Sequence, residues 1–350
     1  MATDRLSISA KVITDSVHDR SRITTFEGTF PRFVLAEFNT HRLISRNSAS
    51  SRAIPVWKRM TDIVESPFVP LQFGKNRAGM QSSEEVSEED TEASRNNWLV
   101  GRDVALIQAY YLVGGVDQVM KDSKENPAAY KVCQRMMELG REYPDVTRKM
   151  KDLSVGVHKQ HANRVLEPYA WHTVVMTGTH WRNFYGLRAS IMAQPEIQDL
   201  AIQMASVHME SSPQELDHME WHLPFISEED RHEVKEKHQL ARISSGRCAR
   251  VSYLTHDGKR SLEADLAMAD GLQRNGHVSP FEHQATTHDH TGAYLGNYHG
   301  NFSRAWMQYR KMLKNEHDFS EIISRESLVQ GMKGDERLAD FVLNFEERVV

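Results

Sequence analysis

The sequence predicts a mixed chain in which helices dominate and strands lie near both ends. Three patterns carry that expectation. Leu6, Ile8, Ala10 and Val12 alternate with Ser7, Ser9 and Lys11, the period of two that marks a strand with one face on a core. Ile197, Leu200, Ala201, Met204 and Val207 fall at i, i+3, i+4, i+7 and i+10, so a helix would gather them on one side. Leu262, Leu266, Ala269 and Leu272 repeat such a stripe. With 350 residues and 39% hydrophobic side chains, the chain can bury a sizeable core as one large domain or two modest ones.

The elements follow in order. After the first strand, the apolar stretch from Phe33 to Phe38 runs straight into Asn39–Ser51, which is dense in Ser, Asn and Arg, and this junction reads as a site. The acidic stretch from Gln81 to Asp90 reads as a solvated loop that starts a helix, because acidic groups suit the positive end of the helix dipole. Asn96 to Met120 reads as helical, interrupted by Gly114 and Gly115, and Val146 to Leu166 reads as a further helix ended by Pro168. Pro195 suits the first turn of the next helix, where its missing N–H is not needed. Glu228 to Lys237 is charge-rich and helical, a candidate separator of two regions, and Gly276 is a candidate cap after the last stripe.

Composition removes several classes. Lys and Arg number 43 against 48 Asp and Glu, a formal charge of −5, without the basic field that non-specific nucleic-acid binding needs. Nucleic acid is not expected as a partner. No apolar run approaches the roughly 18 residues of a membrane span, and the first ten residues lack the apolar stretch of a signal peptide. The two cysteines, Cys133 and Cys248, stand outside any CxxC spacing, so a reduced, cytoplasmic setting without membrane contact is expected. Each reads as a plain buried or half-buried thiol.

The densest polar cluster is His41, Arg42, Ser45, Asn47, Ser50 and Arg52 in THRLISRNSASSRAIP. Guanidinium forks bind phosphate oxygens in pairs, and hydroxyls with turn N–H groups fill the remaining acceptors. The same residues also suit a polar turn with capping serines. Three further segments stand out: NRVLEP at 163–168, WRNFYGLRASIMAQPEIQDLA at 181–201, and GRCARVSYLT from Gly246 followed by GHVSPFEHQ from Gly276.

Together these segments resemble the motifs of the flavin-dependent thymidylate synthase (ThyX) family. The first matches RHRxxSxNExSxRY, the middle pair is similar to ARxxLP and RNxxxLRxxxxAQxEIxxLA, and the last is similar to ARVSY and HxSPFEH. Their order is permuted, since the family runs ARVSY and HxSPFEH first. A circular permutation accounts for this, as does a fused and partly degenerate pair of copies, because SRAWMQYR at 303–310 stands where the RHR motif would follow HxSPFEH. Residues 1–225 would then hold the RHR-like and LR...AQxEI half with a helical insertion, and 226–350 the ARVSY/HxSPFEH half.

The resemblance implies an α+β domain with a central, mostly antiparallel sheet flanked by helices, assembled as a homotetramer with FAD and nucleotide where subunits meet. It implies reductive methylation of dUMP, or of UMP, at C5, with methylenetetrahydrofolate as carbon donor and NADPH-reduced flavin as hydride source. By position it assigns Ser50, Arg52 and Arg164 to the nucleotide phosphate and Arg188 to the uracil, as the catalytic residue. Glu37 stands where the family has a Gln facing the nucleotide. To the flavin it assigns His41, Arg42, Asn183, His277, Ser279 and Glu282, with Trp181 and Phe184 as packing residues that could lie against a ring.

Departures are part of the pattern. Thr40, Ser48 and Ala53 replace Arg, Glu and Tyr, and Thr177, Thr179 and Met192 stand where the family offers Asn, Arg and His to FAD. Nucleotide residues thus survive better than flavin residues. Two other functions stay open: a flavin-free C5-hydroxymethylase, and an inactive nucleotide-binding homologue. The eighteen histidines include His218 and His222 around Glu220, and His283, His288 and His290, but none has the spacing of a known metal motif, and no metal is expected.

Overall fold

The computed structural model describes residues 6–79, 82, 84–122, 127–253, 261–287, 297–316 and 322–344. Strands β1 (Ser9–His18) and β2 (Ser21–Pro31) form a hairpin closed by Asp19 and Arg20, both at positive φ, the two-residue turn that matches strand twist. With β3 (Ile44–Ser48), β4 (Trp171–Gly178) and β5 (Gln214–Glu215) they make a five-stranded sheet in the order β3-β4-β2-β1-β5. All pairs are antiparallel except β1 with β5. A small antiparallel sheet joins β6 (Trp221–His222), β7 (Ala285–Thr287) and β8 (Trp306–Gln308). This is the α+β architecture with a mostly antiparallel sheet flanked by helices that the sequence motifs imply.

The opening strand begins at Ser9 and runs past the alternating segment, because Asp15 and Ser16 are buried polar residues that a hydrophobic period does not register. On one face of the sheet Phe26, Phe30, Val174 and Met176 pack against Ile197, Leu200, Ala201 and Met204 of the helix Pro195–Glu210, with Pro195 in its first turn. On the other face Val175 packs against Cys248 and Val251, and Ile23 against Ala285 and Trp306. Burial on both faces leaves β2 and β4 without a clean alternation, so they escape a periodicity reading.

Between β3 and β4 the helices form a layer with its own core, including Met60, Leu106, Val132, Leu139 and Leu166. Ser87 caps Glu88–Leu112 by accepting from Asp90 N, with Glu88, Glu89 and Asp90 in the first turn. That helix breaks at Gly114 and Gly115, both at positive φ, before Val116–Asp122. The single helix expected from Val146 to Leu166 is instead two, Pro144–Asp152 and Lys159–Val165, because the chain turns through Gly156 at φ 70°. Among the described residues no helix is long and apolar enough to cross a membrane.

The helix Lys237–Tyr253 lies on β3 and β4 and against the helix Leu262–Arg274, whose C-terminal end turns through Gly276 at φ 69°. The charge-rich stretch holds a short helix, Glu228–Glu233, with fully buried Asp230. Arg247 grips Asp230 through Nη1 and Nη2 at 2.5 and 2.9 Å and Asp265 through Nε at 2.9 Å, locking three helices together. Gly246 sits at the closest approach: a Cβ there would meet the Asp265 carbonyl oxygen at 2.2 Å. Gly246→Ala is therefore expected to cost about 2–4 kcal/mol of stability, as other forced core intrusions do, read by urea unfolding; an unchanged midpoint would mean the two helices are free to separate.

A chain of buried polar groups crosses from the sheet to the C-terminal half: Ser16 Oγ to His222 Nδ1 (2.9 Å), His222 Nε2 to Thr25 Oγ1 (2.9 Å), Thr25 to Thr177 (2.7 Å) and Thr177 to His283 Nδ1 (2.9 Å). Burial holds both imidazoles down at about 3. The unfolded chain takes up these protons below about pH 6.5, so each histidine removes roughly 1.4 kcal/mol of stability per pH unit from there downward. Urea unfolding at pH 7.5 and pH 5 is expected to differ by about 4 kcal/mol, the acid side being weaker; equal stability at both would mean these rings are solvated in the native state.

Candidate active site

The motif cluster straddles β3, and its two ends differ. After β3 the chain makes a turn, Ala49–Pro55, that other elements pin from below. Arg32 Nη1 donates to Ala49 O (3.0 Å), Ser51 Oγ to Glu167, and fully buried Asn163 donates through Nδ2 to both Ser51 O and Ile54 O (2.8 Å each). Lys159 Nζ donates to Ala53 O at 3.1 Å, and Arg52 N donates to Ser50 Oγ at 3.3 Å. Ser50, Arg52 and Arg164 are all exposed, and among the described residues neither guanidinium has an ionic or hydrogen-bonding side-chain partner. Because Arg164 follows Asn163, the anchor of the turn also carries the second cation beside it. A fixed turn with two open guanidinium groups is chemically an anion site.

Before β3, Arg188 at the end of the helix Arg182–Arg188 reaches back to the first residues of the motif. Its Nε donates to His41 Nε2 at 2.8 Å, and its Nη2 to Thr40 Oγ1 at 3.1 Å and Glu37 O at 3.3 Å. His41 is buried; burial first, and then the Arg188 charge, hold its imidazole below the ordinary value, while the Asn183 side chain bonds the ring. Glu37 Oε2 is buried without a hydrogen-bond partner among the described residues. Around this pole stand exposed apolar side chains: Leu43, Leu187, Ile191 (83% exposed) and Met192 (70%).

The far end of the chain closes over β3. Ser279 Oγ donates to Asn47 Oδ1 (3.2 Å), whose Nδ2 donates to Cys248 O (3.2 Å). Gln308 Nε2 lies 3.1 Å from Ser45 Oγ and 2.8 Å from Asn301 Oδ1. Glu282 pairs with Arg310, and its charge also reaches Arg46. Of the flavin-side positions, His41, Ser279 and Glu282 are thus engaged by the chain itself, whereas Arg42, Asn183 and His277 are exposed. Thr177 is bonded inside the seam, and Thr179 accepts from Ser303 N at 2.9 Å. Trp181 and Phe184 are core residues, 5% and 1% exposed, packed edge-on with Phe26 and Phe38. A cleft of about 920 Å³ opens beside the pinned turn, between Ala53–Lys58 and Ala264, Met268 and Leu272.

Among the described residues no three His, Cys, Asp or Glu side chains are placed to hold a metal; His283 is buried in the seam, and His288 and His290 lie outside the described residues. Cys248 is fully buried, which pushes its thiol up, and Cys133 is half-buried against the helical core. Asn163, Thr40 and Gln308 were not singled out as functional. Asn163 stands at the start of NRVLEP and Gln308 within SRAWMQYR, so the motifs pass through both without naming them.

A family model described as thymidylate synthase complementing protein (Thy1) matches residues 20–214, more than half of the chain. The chain belongs to the Thy1 family. The matched range includes β3, the pinned turn and Arg188, and stops short of the GRCARVSYLT and GHVSPFEHQ segments of this Thy1 chain. No curated protein matches it. Among solved structures, it is similar to a UMP/dUMP methylase, PolB from Streptomyces cacaoi bound with 5-Br UMP, at 17% identity and a TM-score of 0.40 over 59% of this chain and 90% of that one.

Asn163→Ala would strip the Ser51 and Ile54 carbonyls of their donor. The expected cost is about 1–3 kcal/mol in thermal unfolding; an unchanged midpoint would mean the turn needs no anchor.

Proposed function

We propose that this Thy1 chain transfers a one-carbon unit from methylenetetrahydrofolate to C5 of dUMP or UMP, with reduced FAD, replenished by NADPH, completing it as a methyl group. The observation that carries the reading is Arg188, a guanidinium held on three acceptors with Nη1 left over, at one end of the motif strand whose other end is a rigid, cationic turn. In this reading Ser50, Arg52 and Arg164 take the phosphate, and the carboxyl group of Glu37 faces the nucleotide. C5 attacks the incoming carbon with ring electrons and then loses its own proton, and a guanidinium already in position on the uracil oxygens favours the electron-rich ring that has given its N3 proton to solvent, in which C5 is the stronger nucleophile.

The chemistry of the exposed flavin-side positions, the guanidinium of Arg42 and the imidazole of His277, with what the Asn183 amide has left beyond its bond to His41, suits the pyrophosphate and ring edges of FAD. Bound reduced flavin supplies a hydride to the transferred carbon. A second reading is supported by the engagement of His41, Ser279 and Glu282 with the chain's own residues: without flavin, water completes the same transfer and the product is the C5-hydroxymethyl nucleotide. The exposed apolar ring of Leu43, Leu187, Ile191 and Met192 supports a homo-oligomer, a tetramer by the family resemblance, in which a second copy shields the Arg188 pole from water. We read residues 1–225 and 226–350 as the two halves of the permuted domain, working in the cytoplasm on free nucleotides and not on nucleic acid.

Tritium release from 5-tritiated dUMP or UMP with methylenetetrahydrofolate is the direct assay. Arg188→Ala is expected to lower it at least about 100-fold at unchanged stability, and Arg52→Ala to raise KM by about tenfold or more. Oxidised-flavin absorbance of the purified protein, with a methyl product, supports the first reading, and a colourless protein with a hydroxymethyl product supports the second. Nucleotide binding with no tritium release would leave a non-catalytic binder and remove both.

A further inference from the structure

We propose that His41 is a positioning residue: in its uncharged form it holds Arg188 by the Nε hydrogen and so aims the remaining guanidinium edge at the nucleotide. The inference rests on the reading that Arg188 meets the pyrimidine, and it adds a residue and a protonation state to it.

The donor inventory dictates the first step. An arginine Nε always carries its hydrogen, so His41 Nε2, 2.8 Å away, has to present a lone pair. The neutral ring then carries its proton on Nδ1. Asn183 bonds the ring, and an amide oxygen is the group that accepts such a proton. Thr40 is arranged the same way. Its hydroxyl donates to Glu37 O at 2.6 Å, which leaves Oγ1 a lone pair for Arg188 Nη2 at 3.1 Å. Phe184 stands edge-on to the imidazole, centroids 5.0 Å apart at 84°, and blocks its rotation.

The charges around the ring point one way. Arg188 faces it from the helix Arg182–Arg188 and Arg46 from β3; both are cations, and burial adds to their effect. From the helix Leu35–Phe38, Glu37 offers Arg188 its backbone oxygen, and its Oε2 is buried with no hydrogen-bond partner among the described residues. A proton on Nε2 would set N–H against N–H and a second positive charge beside the guanidinium, so acid releases Arg188 from its clamp. Position 40 fits this arrangement: the Arg of the motif RHRxxSxNExSxRY would add a cation and remove an acceptor there.

The test uses the full chain. Nitrogen-15 spectra of labelled histidine are expected to show one ring protonated on Nδ1 alone at neutral pH, a signal that His41→Gln removes. Turnover measured by tritium release is expected to stay flat above neutrality and fall in acid with unit slope. His41→Ala should lose about 100-fold in kcat with KM within about threefold, the scale of a misaimed catalytic group. His41→Gln, which keeps an acceptor that does not titrate, should recover most of that loss and shed the acid limb. An acid limb that persists in His41→Gln belongs to the substrate phosphate or another group and overturns the proposal, as does full kcat in His41→Ala or a His41 ring protonated on Nε2. Arg188→Ala, run alongside, separates the two claims: if it turns over normally, the reading of Arg188 fails, whereas an inactive Arg188→Ala beside a fully active His41→Ala removes only the positioning role.

Discussion

A band of buried polar side chains between the five-stranded sheet and the C-terminal half sets the arrangement of everything else. Thr25, Ser45, Asn47 and Thr177 point out of the sheet into a region without bulk water, where an unpaired hydroxyl or amide costs about 1–3 kcal/mol. Their partners, His222, Ser279, His283 and Gln308, lie 106 to 263 residues away along the chain. Apolar contacts alone would tolerate sliding of one layer over the other. Hydrogen bonds at 2.7 to 3.2 Å do not, because a shift of one residue leaves several groups unpaired at once. The seam thereby fixes a place on β3 for the SPFEH segment, whatever its order along the chain.

That seam also marks where sequence reading succeeds and where it stops. The helices Pro195–Glu210 and Leu262–Arg274 were legible because each has one wet and one dry side, with Pro195 and Gly276 at their ends. Strands β2 and β4 were not, since TTFEGTF and WHTVVMTG are covered on both sides and mix threonine with apolar residues. In the helical layer, Gly156 splits what periodicity presents as one element, because a positive φ leaves no trace in a hydrophobic pattern. At the candidate site, the family resemblance named Ser50, Arg52, Arg164 and Arg188 as candidates and marked Thr40 only as a departure. It was silent about Asn163, whose contacts run from side chain to backbone and are visible only once the turn exists, as is the Thr40 contact with Arg188.

The two ends of β3 are built on opposite principles. At the Ser50–Arg52 end, buried groups hold the backbone and the cations are left in solvent, an arrangement suited to catching a mobile anion. At the His41 end the cation itself is immobilised: Arg188 spends three N–H contacts on the protein and keeps Nη1. On the proposed function this is what the chemistry asks, since reorienting a charge during the step would cost what the interaction returns. The departures from the family motif fall along the same division. Thr40 supplies an acceptor where a further cation would oppose Arg188, while Ala53 meets the turn's anchors only through its backbone oxygen, which accepts from Lys159.

Both cysteines bear on how C5 can be activated. Covalent activation of a pyrimidine requires an exposed, ionisable thiol to add to the ring. Cys248 is sealed between the helix Lys237–Tyr253 and β4, where burial pushes the thiol up and a thiolate would be stranded without water. Cys133 is half-buried against the helical core. In the proposed reading C5 is activated instead by a guanidinium on the uracil oxygens that favours the electron-rich, N3-deprotonated ring, and that effect depends on how firmly Arg188 is held. A buried, neutral imidazole that accepts from Arg188 Nε is the arrangement that holding that guanidinium calls for, since only the charged ring would oppose it.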